Sequence, residues 1–174
     1  GLIGYNYSEG KVISSYASGN VEGTYYVGGL VGQNTGIVSK SYASGDIIGT
    51  GYSLESKTFY TGESLTRTYN MYHAYIGGLV GYNYKGIVKN CNAENVNVTG
   101  NTYTGGLIGY SNTGKINNCS VEEGTVTGGT NTGGLVGCGK SGDIDGNFIE
   151  LSYAKVDVIG TGECVGGLVG LLGV

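Results

Sequence analysis

Apolar positions in this chain fall in short runs of three to five residues, rich in β-branched side chains and bounded by Gly, Asn and Ser. That pattern marks short strands; no stretch carries the ten or more residues of helical period that an amphipathic helix needs. The runs recur in register with a tetrapeptide, GLxG, which stands at Gly1, Gly29, Gly78, Gly106, Gly134 and Gly167 with spacings of 28, 49, 28, 28 and 33 residues. A unit of 28 residues therefore repeats, and the two longer spacings exceed it by 21 and 5 residues, as loop insertions would.

Aligned on GLxG, each unit presents the same order of columns. Leucine comes first (Leu2, Leu30, Leu79, Leu107, Leu135, Leu168), followed by a β-branched residue (Ile3, Val31, Val80, Ile108, Val136, Val169). A polar position holds Asn6, Asn34, Asn83 and Ser111, and a second aliphatic column runs through Val12, Val38, Val88, Ile116 and Ile149. Three residues further on stands a small residue, Ser15, Ser41, Cys91, Cys119 or Ser152. A third aliphatic column (Val21, Ile47, Val98, Val126, Val158) precedes a glycine by two residues, and the unit closes on a Gly-Gly pair. Three short strands cannot bury an apolar face alone, but stacked copies bury a continuous core. The expected fold is all-β: a parallel β-solenoid (β-helix) of about five three-sided coils, one domain over residues 1–174, with neighbouring coils about 4.8 Å apart and like columns stacked. The asparagines are then expected to form an amide ladder along the stack.

The charge balance narrows the partners. Nine basic against thirteen acidic residues give a net charge of −4, which offers no clustered basic surface for nucleic acid. The longest apolar stretch, Val165 to Val174, is short and broken by glycines, so no helical membrane insertion is expected. The chain opens on a repeat motif and ends just inside one, as a piece of a longer protein would, and end-to-end stacking with neighbouring repeats or subunits is expected.

The unit from Gly77 to Gly100, GGLVGYNYKGIVKNCNAENVNVTG, resembles the GLUG-motif repeat of bacterial cell-surface proteins, as do the segments SYASG at Ser15–Gly19 and Ser41–Gly45. The resemblance implies a secreted or surface-attached, adhesin-like, extracellular module that is not an enzyme, needs no cofactor, and has a host glycan or glycoprotein as partner. The same family also occurs beside immunoglobulin A1 metallopeptidases. An accessory domain that positions substrate for such a peptidase is therefore an alternative, which a zinc HExxH motif elsewhere in the full protein would favour. A β-helix polysaccharide-degrading enzyme is the second alternative.

Candidate contacts concentrate in the 21-residue insertion, at about residues 50–74. Tyr52, Phe59, Tyr60, Arg67, Tyr69, Tyr72 and His73 have the composition of recognition surfaces, where Tyr and Arg supply large contact area at low entropic cost. The same aromatics could instead pack the loop against the solenoid flank. Glu94 and Glu122 fall at equivalent positions with Lys155 in the next unit, so stacking aligns two carboxylates and an ammonium on a solvated face, in weak imitation of a glycosidase pair. Asp143, Asp145 and Asn147 form a weak calcium candidate, which lacks the glutamate a calcium loop carries at its twelfth position. His73 is the only histidine, so no multi-histidine metal site is expected. Cys91 and Cys119 substitute for serine in a buried column, Cys138 and Cys164 belong to two tyrosine columns, and no structural disulfide is expected among the four.

Overall fold

The computed structural model describes residues 1–51, 73–140 and 148–173, and it is a parallel β-solenoid whose strands stack in register from coil to coil. Each coil contributes four strands, one to each of four sheets, where the sequence pattern predicts three. Sheet A stacks Ile3–Asn6, Val31–Asn34, Val80–Tyr84, Ile108–Asn112, Val136–Lys140 and Val169–Leu172. Sheet B stacks Lys11–Ile13, Ile37–Ser39, Ile87–Lys89, Lys115–Asn117 and Phe148–Glu150. Sheet C holds the long strands Tyr42–Gly49, Asn92–Thr99, Ser120–Gly128 and Tyr153–Gly160, with Tyr16–Ser18 and Val21–Gly23 covering its first coil. Sheet D is the side that the pattern does not predict: Tyr26–Gly28, Tyr75–Gly77, Tyr103–Gly105, Thr132–Gly133 and Val165–Gly166. Its strands are two or three residues long and end in glycine, too short and too polar to show an apolar alternation.

The columns line one core. Leu30, Leu79, Leu107 and Leu135 are fully buried, as are the sheet A residues Val31, Val80, Ile108 and Val136. Val38, Val88 and Ile116 reach the same core from sheet B, Ala43, Ile47, Ala93, Val98, Val121 and Val126 from sheet C, and Ile76 from sheet D. Each fully buried leucine contributes about 1.5–3 kcal/mol relative to an exposed one, and it does so because coils above and below enclose it.

The asparagine column inside the stack is paired, whereas the buried Thr104 hydroxyl has no hydrogen-bond partner among the described residues. The expected amide ladder is present and buried: Asn6 Nδ2 donates to Asn34 Oδ1 at 2.7 Å, Asn34 Nδ2 to Asn83 Oδ1 at 2.8 Å, and Asn83 Nδ2 to Ser111 Oγ at 3.4 Å. The free edge of each amide also donates to a turn carbonyl, Gly36 for Asn34 and Gly86 for Asn83. Glycine is required at that turn: a Cβ on Gly86 would collide with the amides of Asn34 and Asn83.

The turn from sheet B to sheet C repeats with the same geometry. Ser14, Lys40, Asn90, Asn118 and Leu151 all adopt left-handed backbone, with φ between 49° and 53°. The next residue staples the turn. Ser15, Ser41 and Ser152 Oγ donate to the carbonyl two residues back at 3.0, 2.7 and 2.7 Å, while Cys91 and Cys119 Sγ make the same bond at 3.2 and 3.3 Å. The small column of the sequence is therefore a hydrogen-bonding column in which thiol substitutes for hydroxyl.

Sheet C carries an irregularity absent from the sequence reading. The register shifts between Ala93 and Val96 against the preceding strand and between Glu122 and Thr125 against the following one, so the two middle coils each hold one extra residue. Asn95 and Glu123 occupy these bulges with φ of 50° and 59°. Among the described residues no helix is long and apolar enough to cross a membrane.

Candidate functional site

The chemistry-bearing surface lies at the corner where sheet D turns into sheet A. Within a coil, Tyr75 and Tyr82 are seven residues apart, as are Tyr103 and Tyr110. The Gly-Gly pair between them folds the chain so tightly that a Cβ on Gly77 would strike the Val80 carbonyl, and the two tyrosines of each pair emerge side by side. Ring centroids are 5.1 Å apart for Tyr75–Tyr82 and 5.2 Å for Tyr103–Tyr110. Stacking of coils then interleaves the pairs. Tyr26 lies 5.7 Å from Tyr82 and 5.5 Å from Tyr75, and Tyr75 lies 4.9 Å from Tyr110 and 5.3 Å from Tyr103. Five rings from two sheets form a continuous zipper along the solenoid axis.

The centroid separations exceed face-to-face contact, so the rings overlap in an offset manner and keep an outer edge in water. Tyr26 at one end is 46% exposed, and the other four are half-buried. Partial burial raises the phenol pKa values. Tyr110 is pushed up to about 12, and Tyr75, Tyr82 and Tyr103 also rise, in each case chiefly because burial penalises the phenolate. These four phenols are therefore uncharged at physiological pH. The side chain of Asn112 hydrogen-bonds Tyr82. Cys138 takes the place of the next ring above Tyr110, and burial pushes its thiol up to about 11.

His73 joins this surface. Its ring meets Tyr103 edge-on at 5.3 Å and Tyr75 at 6.2 Å. Of the residues singled out in the insertion, His73 alone is described; Tyr52, Phe59, Tyr60, Arg67, Tyr69 and Tyr72 lie outside the described residues. So do Asp143, Asp145 and Asn147. Among the described residues no three of His, Cys, Asp and Glu are grouped to hold a metal.

Glu94, Glu122 and Lys155 are aligned in register on the outer face of sheet C, as the spacing predicts. They are at the surface and already engaged: Asn92 donates to Glu94, the Tyr153 hydroxyl donates to Glu122, and the Lys155 ammonium lies 5.2 Å from the Tyr153 ring centroid. The four cysteines are free thiols. Cys91 and Cys119 are buried neighbours in one column, and contact with Cys91 together with burial holds the Cys119 thiol far above the ordinary range.

Reasoning from sequence placed the zipper tyrosines in two separate columns and did not join them. The signal was present as a Tyr-x6-Tyr pair recurring at Tyr75 and Tyr103 across the Gly-Gly corner.

In-register coils with one core, and no helix among the described residues, define a tandem-repeat parallel β-solenoid. The GLUG motif family matches the chain at residues 23–48, 72–99 and 100–127, so the chain carries three GLUG-motif repeats. Neither the curated proteins nor the solved structures hold a significant match to it.

Proposed function

We propose that this solenoid is a non-catalytic recognition module of a secreted or surface-attached, adhesin-like bacterial protein, and that the corner of sheets D and A is its contact surface. The observation that carries this reading is the five-ring tyrosine zipper with His73 beside it. Tyrosine gives broad amphipathic contact at small entropic cost, and rings already locked against one another lose still less freedom on binding. The rigid stack below supplies the platform that such surfaces require. Glu94 and Glu122 favour the non-catalytic reading, because each carboxylate already accepts a hydrogen bond, from Asn92 and from Tyr153 respectively.

Binding of the protein to an array of host glycans and glycoproteins, beside a Tyr75→Ala, Tyr110→Ala double variant, tests the proposal. The expected result is capture of one glycan or glycoprotein class by the parent and its loss in the double variant, with the circular dichroism of the two proteins alike. Absence of binding by the parent, or equal binding by a folded double variant, refutes it.

A further inference from the structure

We propose that the zipper binds a neutral, linear glycan lying parallel to the solenoid axis, with one sugar opposite each coil; this deepens the recognition reading above and rests on it. The axial spacing supports that geometry. Successive sheet D rings are 5.5 Å apart from Tyr26 to Tyr75 and 5.3 Å from Tyr75 to Tyr103, set by strand pairing at about 4.8 Å. An extended β-linked polysaccharide advances by nearly the same distance per sugar, so a chain laid along the zipper meets equivalent groups at every residue. A ligand crossing the axis would meet one ring pair and then the next turn.

The chemistry of the surface selects the same ligand. The partly exposed rings present apolar surface to sugar C–H groups, and their phenol hydroxyls are groups that can exchange hydrogen bonds with sugar hydroxyls. Burial opposes ionisation of Tyr75, Tyr103 and Tyr110, so these phenols act as neutral donors and acceptors. Among the described residues the lysines stacked on tyrosine rings are Lys85 on Tyr84 and Lys155 on Tyr153, and none lies over the five zipper rings. The zipper rings themselves therefore offer no ion pair to a sulfated or carboxylated glycan, and a neutral one meets them without a charge to desolvate.

Calorimetric titration of the whole protein with β-1,4-linked N-acetylglucosamine and glucose oligomers of two to six sugars provides the test. Affinity is expected to rise steeply to three sugars, matching the three coils of Tyr26, Tyr75 and Tyr103, and to level off beyond. Tyr75→Ala should weaken binding by about tenfold or more, and Tyr75→Phe by less, since it keeps the ring. Tyr16→Ala, which breaks a stacked pair with Tyr42 on sheet C, should leave binding unchanged and controls for general loss of aromatic surface. Affinity independent of length, stronger binding of a sulfated chain, or an unaffected Tyr75→Ala variant overturns the inference. Capture of a glycoprotein through its polypeptide, with no affinity for any oligomer, overturns this inference while the recognition reading survives; absence of binding to either removes both.

Discussion

The leucine of the GLxG tetrapeptide is 0% exposed at Leu30, Leu79, Leu107 and Leu135, but Leu2 is 53% exposed and Leu168 40%. The residue, its neighbours in sequence and its strand are alike in all six; what differs is whether a coil lies on both sides. Stability in this molecule therefore belongs to the interfaces between coils rather than to any coil by itself. The asparagine column tells the same story in polar terms, since Asn34 and Asn83 bond in both directions while Asn6 donates to a single neighbouring amide.

Substitutions that separate the inside of the stack from its ends sharpen this contrast. Leu107→Ala is expected to cost about 2–5 kcal/mol, and Leu168→Ala under about 1 kcal/mol, as read from urea denaturation midpoints at constant slope. Asn83→Ala strips Asn34 of its acceptor and leaves buried donors unpaired, so it should cost about 1–3 kcal/mol, with Asn6→Ala clearly milder in the same assay. Leu151 is 81% exposed in left-handed backbone with φ of 49°, where Asn90 and Asn118 stand in other coils. Leu151→Asn is expected to stabilise by up to about 1 kcal/mol, seen as a higher melting temperature.

The gentlest lever is alkaline pH. Tyr110 titrates near 12 in the folded state against about 10 when unfolded, so its contribution is complete below pH 10 and disappears as pH rises through 12. The melting temperature should fall across that window, and less so in a Tyr110→Phe variant. A melting temperature flat from pH 9 to 12 would contradict the partly buried zipper.

Much of this architecture is legible in the residues because a stacked coil converts sequence period into spatial contact. The Leu and Val columns, the amide ladder, and the alignment of Glu94, Glu122 and Lys155 all follow from the 28-residue repeat alone. Sheet D escapes that reading because Thr132–Gly133 and Tyr103–Gly105 are too short to show a period, and a coil then looks three-stranded. The bulges at Asn95 and Glu123 escape it because one extra residue in a long strand is invisible without its partner strand. The zipper escapes it for a third reason: its two columns are separate in the repeat and meet only across the Gly77–Gly78 corner, where backbone packs against backbone. Of the aromatic positions singled out at 52–73, His73 is the one that the structure places, and it lies on that zipper.

Residue-resolved hydrogen–deuterium exchange tests the claim that neighbouring coils supply the stability. Amides of Val80–Tyr84 and Ile108–Asn112 should be the most protected, with protection declining through the flanking coils to Ile3–Asn6 and Val169–Leu172. Equal protection of the end strands and the central ones, lost in a single global opening, would contradict it.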